Sequence, residues 1–186
     1  MEKKTKLLAL EKNILKFRAI QTVLMLHEVE NLKTSIVNAI RATDRILNSQ
    51  LTRLPMGERN VIKNAISILI KVEVLTLDEG KDLEELIQFR NMIGHSIHSL
   101  LSDVSAPNFA LDLKHTYDYS ALERIINFRK KIQVGMMGKF VQEIDFRDII
   151  FEQAGAAYKD ELRRLEAKIT KQLAVRRKLQ VFELKN

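Results

Sequence analysis

The sequence predicts an all-α protein, and three of its features lead to this fold class. Apolar residues recur every three or four positions over long stretches, which is the period of an amphipathic helix. Helix breakers are few, since the 186 residues include 6 Gly and 2 Pro. Two segments, Thr76–Glu79 and Ser120–Glu123, match the capping box that opens a helix. The length suffices for one well-buried core, so we expect a helical bundle.

The N-terminal third predicts two helices. Residues 6–54 contain neither Gly nor Pro, and we expect a bend near residues 27–31 to divide them. Pro55 and Gly57 then end the helical pattern. The apolar positions at helical spacing are Leu7, Leu10, Ile14, Phe17, Val29, Leu32, Ile36, Ala39 and Ile40.

The middle of the chain predicts two further helices. Residues 58–76 favour a helix, although the stretch Ile68–Val74 also alternates as a strand would. The capping box Thr76–Glu79 then opens a helix whose apolar positions continue as far as Val104. Residues 102–119 follow as a connecting segment, with a short extended piece predicted at residues 109–113.

The C-terminal third predicts a helix that begins at Ser120–Glu123, is interrupted by Gly135 and Gly138, and is followed by a long helix over residues 146–182. The spacing from Leu162 to Ile169 resembles a heptad repeat. Two polar residues then stand where the apolar seam should continue, namely Gln172 and Arg176. We therefore predict a bundle over residues 1–150 and an amphipathic helix over residues 151–186, packed on the bundle or, as a coiled coil, on a partner subunit.

Composition restricts the chemistry. The chain has no Cys, which excludes disulfides, thiolate zinc sites, iron-sulfur clusters and a cysteine nucleophile. Its net charge of +7 favours polyanionic partners, nucleic acid first. The apolar runs fall far short of the roughly 20 residues that span a bilayer, and the basic first residues lead into no signal-peptide apolar region. We expect a cytoplasmic protein with no membrane association.

The segment Arg90–His95 carries the most chemical information. An imidazole with an ordinary pKa of roughly 6.5 exchanges protons at neutral pH, and a guanidinium clamps phosphate oxygens through paired N–H donors. Asn91 directly follows the arginine, and Gly94 precedes the histidine. This pair can act on a phosphodiester without a metal.

With this motif among amphipathic helices, the chain resembles the HEPN superfamily (higher eukaryotes and prokaryotes nucleotide-binding domains), which shares an all-α bundle and an Arg-x4-6-His motif. The resemblance implies an HEPN-like antiparallel bundle and a metal-independent ribonuclease that acts as a homodimer. Many members belong to toxin-antitoxin or antiviral systems, which implies an antitoxin or regulatory protein as a partner. Some members carry a Tyr two residues after the His, where a nucleotidyltransferase can modify it; this chain has Ile97 there, so we do not expect that control.

Helix geometry indicates how the motif residues would be used. On a regular helix, Arg90 and His95 lie about 140° apart, so either Gly94 distorts the helix or two subunits share the site. Asn91 and His95 are four residues apart and lie on one face, so Asn91 can orient the imidazole or contact phosphate. His98 is an accessory candidate. A lone His-x-x-His pair is weak evidence for a metal site, so we expect no metal and no cofactor.

Two non-catalytic interpretations stay open. Arg90 could form a structural ion pair with Glu73, Glu84 or Glu85, with His95 as a half-buried helix residue. The protein would then be a non-catalytic helical dimer module that binds a nucleotide, a nucleic acid or a protein. The basic residues of the last helix could follow an RNA backbone, but acidic residues alternate with them and the sequence favours a solvated face. These basic residues are Lys159, Arg163, Arg164, Lys168, Lys171, Arg176, Arg177 and Lys178.

Overall fold

The protein is all-α, as the sequence predicts. A computed structural model describes residues 8–47, 52–95, 104, 117–142 and 146–183. Within these ranges the chain forms five helices and no strand. The helices are α1 (Ala9–Leu47), α2 (Val61–Lys71), α3 (Leu77–His95), α4 (Ala121–Met136) and α5 (Phe146–Glu183).

Helix α1 corrects the prediction of two N-terminal helices. It runs as one α-helix from Ala9 to Leu47, through the region where we expected a break. There, His27 Nε2 and Asn31 Nδ2 lie 2.8 Å apart, a contact that the i, i+4 spacing of an uninterrupted helix allows. The apolar run Val23–Leu26 just before this region is buried at Leu24 and Met25 and lies within the helix. Without Gly or Pro, nothing in this stretch stops helix propagation.

The chain divides into two compact units, each built from separated segments. Unit 1 comprises Met1–Leu24, Met92–Tyr119 and Gln153–Asn186, and unit 2 comprises Met25–Asn91 and Ser120–Glu152. The core of unit 2 combines side chains of four helices. Its deeply buried members include Ile36, Ile40, Ala65, Ile66, Leu69, Leu83, Leu86, Ile125 and Ile132.

The end of α2 settles the choice between helix and strand for residues 68–74. Helix α2 continues to Lys71, and the chain then turns in a Schellman motif. The N–H of Val74 donates to the Leu69 carbonyl at 2.9 Å, and the N–H of Glu73 donates to the Ile70 carbonyl at 3.0 Å. Glu73 takes φ 57°, the left-handed conformation that glycine usually supplies at this position.

The capping box at the start of α3 is confirmed. The backbone N–H of Thr76 donates to Glu79 Oε2 at 2.9 Å, and the N–H of Glu79 donates to Thr76 Oγ1 at 3.2 Å. Lys131 of α4 pairs with the same carboxylate. The Lys131 hydrogen bond is the main cause that lowers the pKa of Glu79 below its ordinary value. Helix α3 thus begins where the sequence predicts and is joined to α4 there.

The start of α4 is predicted correctly, but its capping box is not. Ser120 has φ −86° and ψ −15°, a helical conformation, and makes no side-chain cap hydrogen bond. A side-chain hydroxyl can accept from the first N–H groups of a helix when the N-cap residue has an extended backbone. The backbone of Ser120 is not extended. Gly138, at φ 74°, occupies the third position of a type II turn after the helix.

Gly135 does not interrupt α4, contrary to our prediction, because the helix continues to Met136. Its role is close packing. A Cβ at position 135 would lie 2.9 Å from Cγ1 of the buried Val74, so only glycine lets α4 approach the turn after α2 this closely.

The predicted long terminal helix is confirmed as α5. Its part in unit 1 packs on the first turns of α1. Leu10, Ile14 and Val104 form a buried cluster against which Ile169 and Leu173 lie. The two polar residues in the seam have partners on α1. Gln172 accepts a hydrogen bond of 3.0 Å from Asn13, and Arg176 pairs with Glu11 at 2.8 Å.

A fully buried arginine occupies the same unit. Arg18 donates from Nε and Nη2 to the hydroxyl of Tyr119 at 2.9 and 2.7 Å. Its guanidinium carbon lies 5.0 Å from the ring centre of Tyr117 and 5.2 Å from that of Tyr119, within the range of cation–π attraction. Burial is the main cause that raises the pKa of Tyr117 to about 12. The predicted extended piece at 109–113 lies outside the described residues.

Candidate functional site

Helix α3 presents Arg90 near its C-terminal end, held by two contacts. Nη2 lies 2.8 Å from Glu30 Oε1 on α1, and Nη1 donates to Asn91 Oδ1 at 3.1 Å. The Arg90 side chain is 25% exposed. Its Nε is buried and has no hydrogen-bond partner. The guanidinium is therefore oriented from one side and reaches solvent on the other.

Glu30 is the residue that fixes this orientation. Its Oε1 also receives Lys33 Nζ at 3.1 Å, so one carboxylate faces two cations and the group keeps a net positive charge. Glu30 is 47% exposed, and ion pairs at that exposure contribute about 0–1 kcal/mol. An incoming phosphate could therefore compete for Arg90 without a large energetic cost.

The partner of Arg90 is not one of the three glutamates that the sequence suggested. Glu73, Glu84 and Glu85 form no ion pair with it in the described structure, and Glu30 does. Those three glutamates lie on α3 or in the turn after α2, close to Arg90 in the sequence. Glu30 lies on α1, and no local spacing signals a contact between helices so far apart in the chain.

The other motif residues have the following positions. Asn91 is exposed beside Arg90. His95 is the last described residue of α3, and the helix remains an α-helix through Gly94, so the distortion that we considered does not occur there. Regular geometry then keeps Arg90 and His95 about 140° apart around the axis. The His95 imidazole and all of His98 lie outside the described structure. Of the predicted site residues, the described structure therefore brings together Arg90 and Asn91.

Close to Glu30 on α1, His27 is half-buried and stacks on Phe151, with 3.5 Å between ring centres. Asn31 contacts its Nε2 at 2.8 Å. These contacts place His27 at the edge of the core. They give it no role in the Arg90 site.

Two further observations concern membrane-spanning helices and metal sites. None of the described helices is both long and apolar enough to cross a membrane. Among the side chains that the structure places, no three His, Asp or Glu residues form a group that could hold a metal ion.

Comparison with known proteins gives no relative for this chain. No family model matches it, and neither the curated proteins nor the solved structures contain a match. Function is therefore inferred from the Arg90 motif, its contacts and the resemblance that the motif carries.

Proposed function

We propose that the protein is a metal-independent endoribonuclease of the HEPN type that acts as a cytoplasmic homodimer. The observation that carries this proposal is the arrangement of Arg90. Glu30 orients the guanidinium, Asn91 lies beside it at the surface, and the same helix continues to His95. The all-α fold is compatible with the family, and the chemistry that these side chains would supply does not require a metal ion.

The reaction would use the ribose 2′-hydroxyl of the RNA as the nucleophile. The imidazole of His95 removes the hydroxyl proton as the 2′ oxygen bonds to the adjacent phosphorus. The bond from phosphorus to the 5′ oxygen breaks, and a second acid returns a proton to that oxygen. Arg90 stabilises the charge that gathers on the phosphoryl oxygens, and Asn91 contacts the phosphate or the imidazole. The products are a 2′,3′-cyclic phosphate and a 5′-hydroxyl. DNA would not be a substrate, because deoxyribose lacks the 2′-hydroxyl.

A dimer supplies what one subunit lacks. Since positions 90 and 95 lie about 140° apart around one helix, we do not expect a single subunit to aim both side chains at one phosphate. Two subunits related by a two-fold axis would place Arg90 of one beside His95 of the other, with the two imidazoles as base and acid. His98 is the alternative source of the acid.

A second candidate function follows from the ion pair with Glu30. If Arg90 serves only to join α3 to α1, the protein is a non-catalytic module whose partner is a nucleotide, a nucleic acid or a protein, an antitoxin or other regulator included. In that case Arg90→Ala weakens the fold and has no other effect.

The test is cleavage of a fluorogenic single-stranded RNA in excess EDTA. We expect the wild type to cleave the RNA and to leave DNA of the same sequence intact. Arg90→Ala and His95→Ala should each reduce the rate at least about 100-fold, the usual contribution of a proton-transfer or charge-stabilising group.

The matched control is Arg59→Ala, which removes an exposed arginine from the turn before α2. It should cleave like the wild type. Circular dichroism and thermal melting establish that all variants fold. Intact RNA with the wild type, or equal cleavage by the wild type and folded His95→Ala, would reject the nuclease in favour of the module.

A further inference from the structure

The positive charge of this protein is concentrated in one part of α5. Residues 163–182 contain seven basic residues and one acidic residue, a net charge of +6. The other 166 residues contain 24 basic and 23 acidic residues and are nearly neutral. The excess of +7 that distinguishes the whole chain therefore belongs almost entirely to one stretch of helix.

The packing of α5 determines which side of this stretch meets solvent. Leu162 and Leu165 are buried, and Ile169 and Leu173 pack against the cluster on α1. Arg176 also faces α1, through its pair with Glu11. The opposite side of the helix is exposed, and it carries Arg163, Arg164, Lys168, Lys171 and Lys178, which we call the basic face.

Four of the five cations of the basic face form a narrow line. At 100° per residue, Arg164, Lys168, Lys171 and Lys178 fall within an arc of about 80° and extend over about 21 Å of helix. Glu166, the single acid of the segment, lies about 160° from the centre of this arc. A solvated helix usually intersperses both charges, whereas this surface presents one sign from Arg163 to Lys178. The acids Asp160 and Glu161 lie at its N-terminal end.

Few acids compensate these cations. Arg163 pairs with Asp160, and Arg164 lies 3.8 Å from Glu161, but all four side chains are exposed and such pairs contribute little. Lys168, Lys171 and Lys178 form no ion pair within the described structure. An approaching anion therefore meets little competition from acidic side chains of the protein for these cations.

We infer that the basic face binds the sugar-phosphate backbone of a single-stranded nucleic acid without reading its sequence. The choice of RNA as the strand rests on the proposed function, whereas the binding itself does not require cleavage. Lysine ammonium groups contact phosphates as point charges, which positions a strand and carries no base information. A line of cations along a straight helix matches the row of charges on an extended strand.

A membrane surface fits these observations less well. Helices that lie on membranes insert an apolar face, and the apolar face of α5 already packs on α1. On the basic face, Val175 is the large apolar side chain that the structure shows exposed. Charge is therefore the main property that the surface offers.

The experiment measures fluorescence anisotropy of a labelled single-stranded DNA 20-mer with the full chain, and of the matching RNA with His95→Ala. Neither strand is cleaved under these conditions, so failure of the nuclease proposal does not affect the result. We expect dissociation constants on the order of 10⁻⁶–10⁻⁴ M near physiological salt and similar values for both strands. With five cations engaged, the slope of log K against log salt should be about −3.5.

The variants compare two triple charge reversals with the same net charge. Lys168→Glu, Lys171→Glu and Lys178→Glu should weaken binding at least about 30-fold and reduce the slope to about −1.4. The control reverses Lys63, Lys71 and Lys130, three exposed lysines of unit 2 without ion pairs in the described structure, and should bind several-fold tighter than the first variant. Lys168→Ala, Lys171→Ala and Lys178→Ala, which favour helix, should lose affinity in the same direction.

Three results would overturn the inference. The first is equal loss in both reversal variants, which would make the effect one of overall charge. The second is a wild type that does not bind either strand at low salt. The third is sedimentation with phosphatidylserine vesicles, sensitive to the α5 lysines, in a protein that ignores the oligonucleotides.

Discussion

Arg90 Nη2 lies 2.8 Å from Glu30 Oε1, so an ion pair between α3 and α1 fixes the direction of the motif arginine. In the proposed enzyme, Glu30 is a positioning residue. Glu30→Gln should lower kcat for RNA cleavage about 10-fold and change KM little, because Arg90 remains but is less ordered. Cleavage kinetics measure this.

The matched control is Glu85→Gln. Glu85 is an exposed glutamate of α3, the helix that carries Arg90, and forms no ion pair in the described structure. It should leave kcat unchanged. A fall in melting temperature with unchanged kcat in Glu30→Gln would assign the ion pair to the fold alone.

The left-handed Glu73 predicts a stabilising substitution. Its φ of 57° disfavours any side chain with a Cβ, and the Schellman hydrogen bonds at Val74 and Glu73 depend on that conformation. Glu73→Gly should raise the free energy of unfolding by about 1 kcal/mol, which is about 2–4 °C in Tm for a chain of this size. Thermal melts compare it with Glu73→Ala, which keeps the strain and should gain little.

Close packing at Gly135 predicts the opposite outcome. A Cβ there would meet Cγ1 of Val74 at 2.9 Å, and the branched, buried valine cannot move away easily. Gly135→Ala should destabilise the fold by about 1–2 kcal/mol despite the better helix propensity of Ala. Urea unfolding measures this, and Val74→Ala in the same chain should recover part of the loss. Additive losses in the double variant would contradict the packing explanation.

Gly80 provides a contrast. Its added Cβ would meet Ile70 at Cδ1, the far end of a flexible side chain, at 2.6 Å, and would lie 3.3 Å from Cγ2 of the buried Ile66, a contact that a shift of a few tenths of an ångström relieves. Ile70 can rotate away, so Gly80→Ala should change the free energy of unfolding by less than about 1 kcal/mol.

Two kinds of ion pair on α5 should respond differently to loss of the arginine. Arg176 pairs with Glu11, whose side chain is 10% exposed, whereas Arg163 and Asp160 are both exposed. Arg176→Ala should cost about 1–3 kcal/mol, because it leaves a buried carboxylate without its cation. Arg163→Ala should cost less than about 0.5 kcal/mol. Equal costs in chemical denaturation would show that the burial of Glu11 is unimportant.

Tyr117 predicts a loss of stability at alkaline pH. Burial raises the pKa of Tyr117 to about 12 in the folded protein, above its ordinary value of 10.0. The fold therefore favours the neutral phenol, and this contribution is complete below pH 10 and disappears as the pH rises to about 12. Urea unfolding at pH 9 and pH 11 should show the decrease, and Tyr117→Phe should make it smaller. An identical decrease in Tyr117→Phe would assign it to other groups.

The sequence predicted those parts of the fold that depend on local patterns. Thr76 and Glu79 form the capping box because both partners lie within one turn. Ser120 has the same pattern, but its backbone is already helical, a choice that the surrounding structure makes and the four residues do not encode. The start of α4 was predictable for this reason, and the means of capping it was not.

Contacts between distant segments were not predictable. Gln172 and Arg176 looked like defects in an apolar seam until α1 supplied Asn13 and Glu11 as partners. For the site, Arg90 and Asn91 were identified from their chemistry, whereas Glu30 was missed because it lies on another helix. A single sequence gives the period of each helix but does not specify which faces meet.

Unit 1 combines distant segments of the chain, and this has a consequence during synthesis. Asn13 and Gln172, which hold its first and last helices together, are 159 residues apart in the chain. At about 5–20 residues per second, a ribosome needs roughly 10–30 s to supply the second after the first. Leu10 and Ile14 stay without their neighbours Ile169 and Leu173 for that interval. The nascent chain therefore leaves this apolar segment of α1 incompletely covered until α5 has been synthesised, and this is the period in which a chaperone would recognise it.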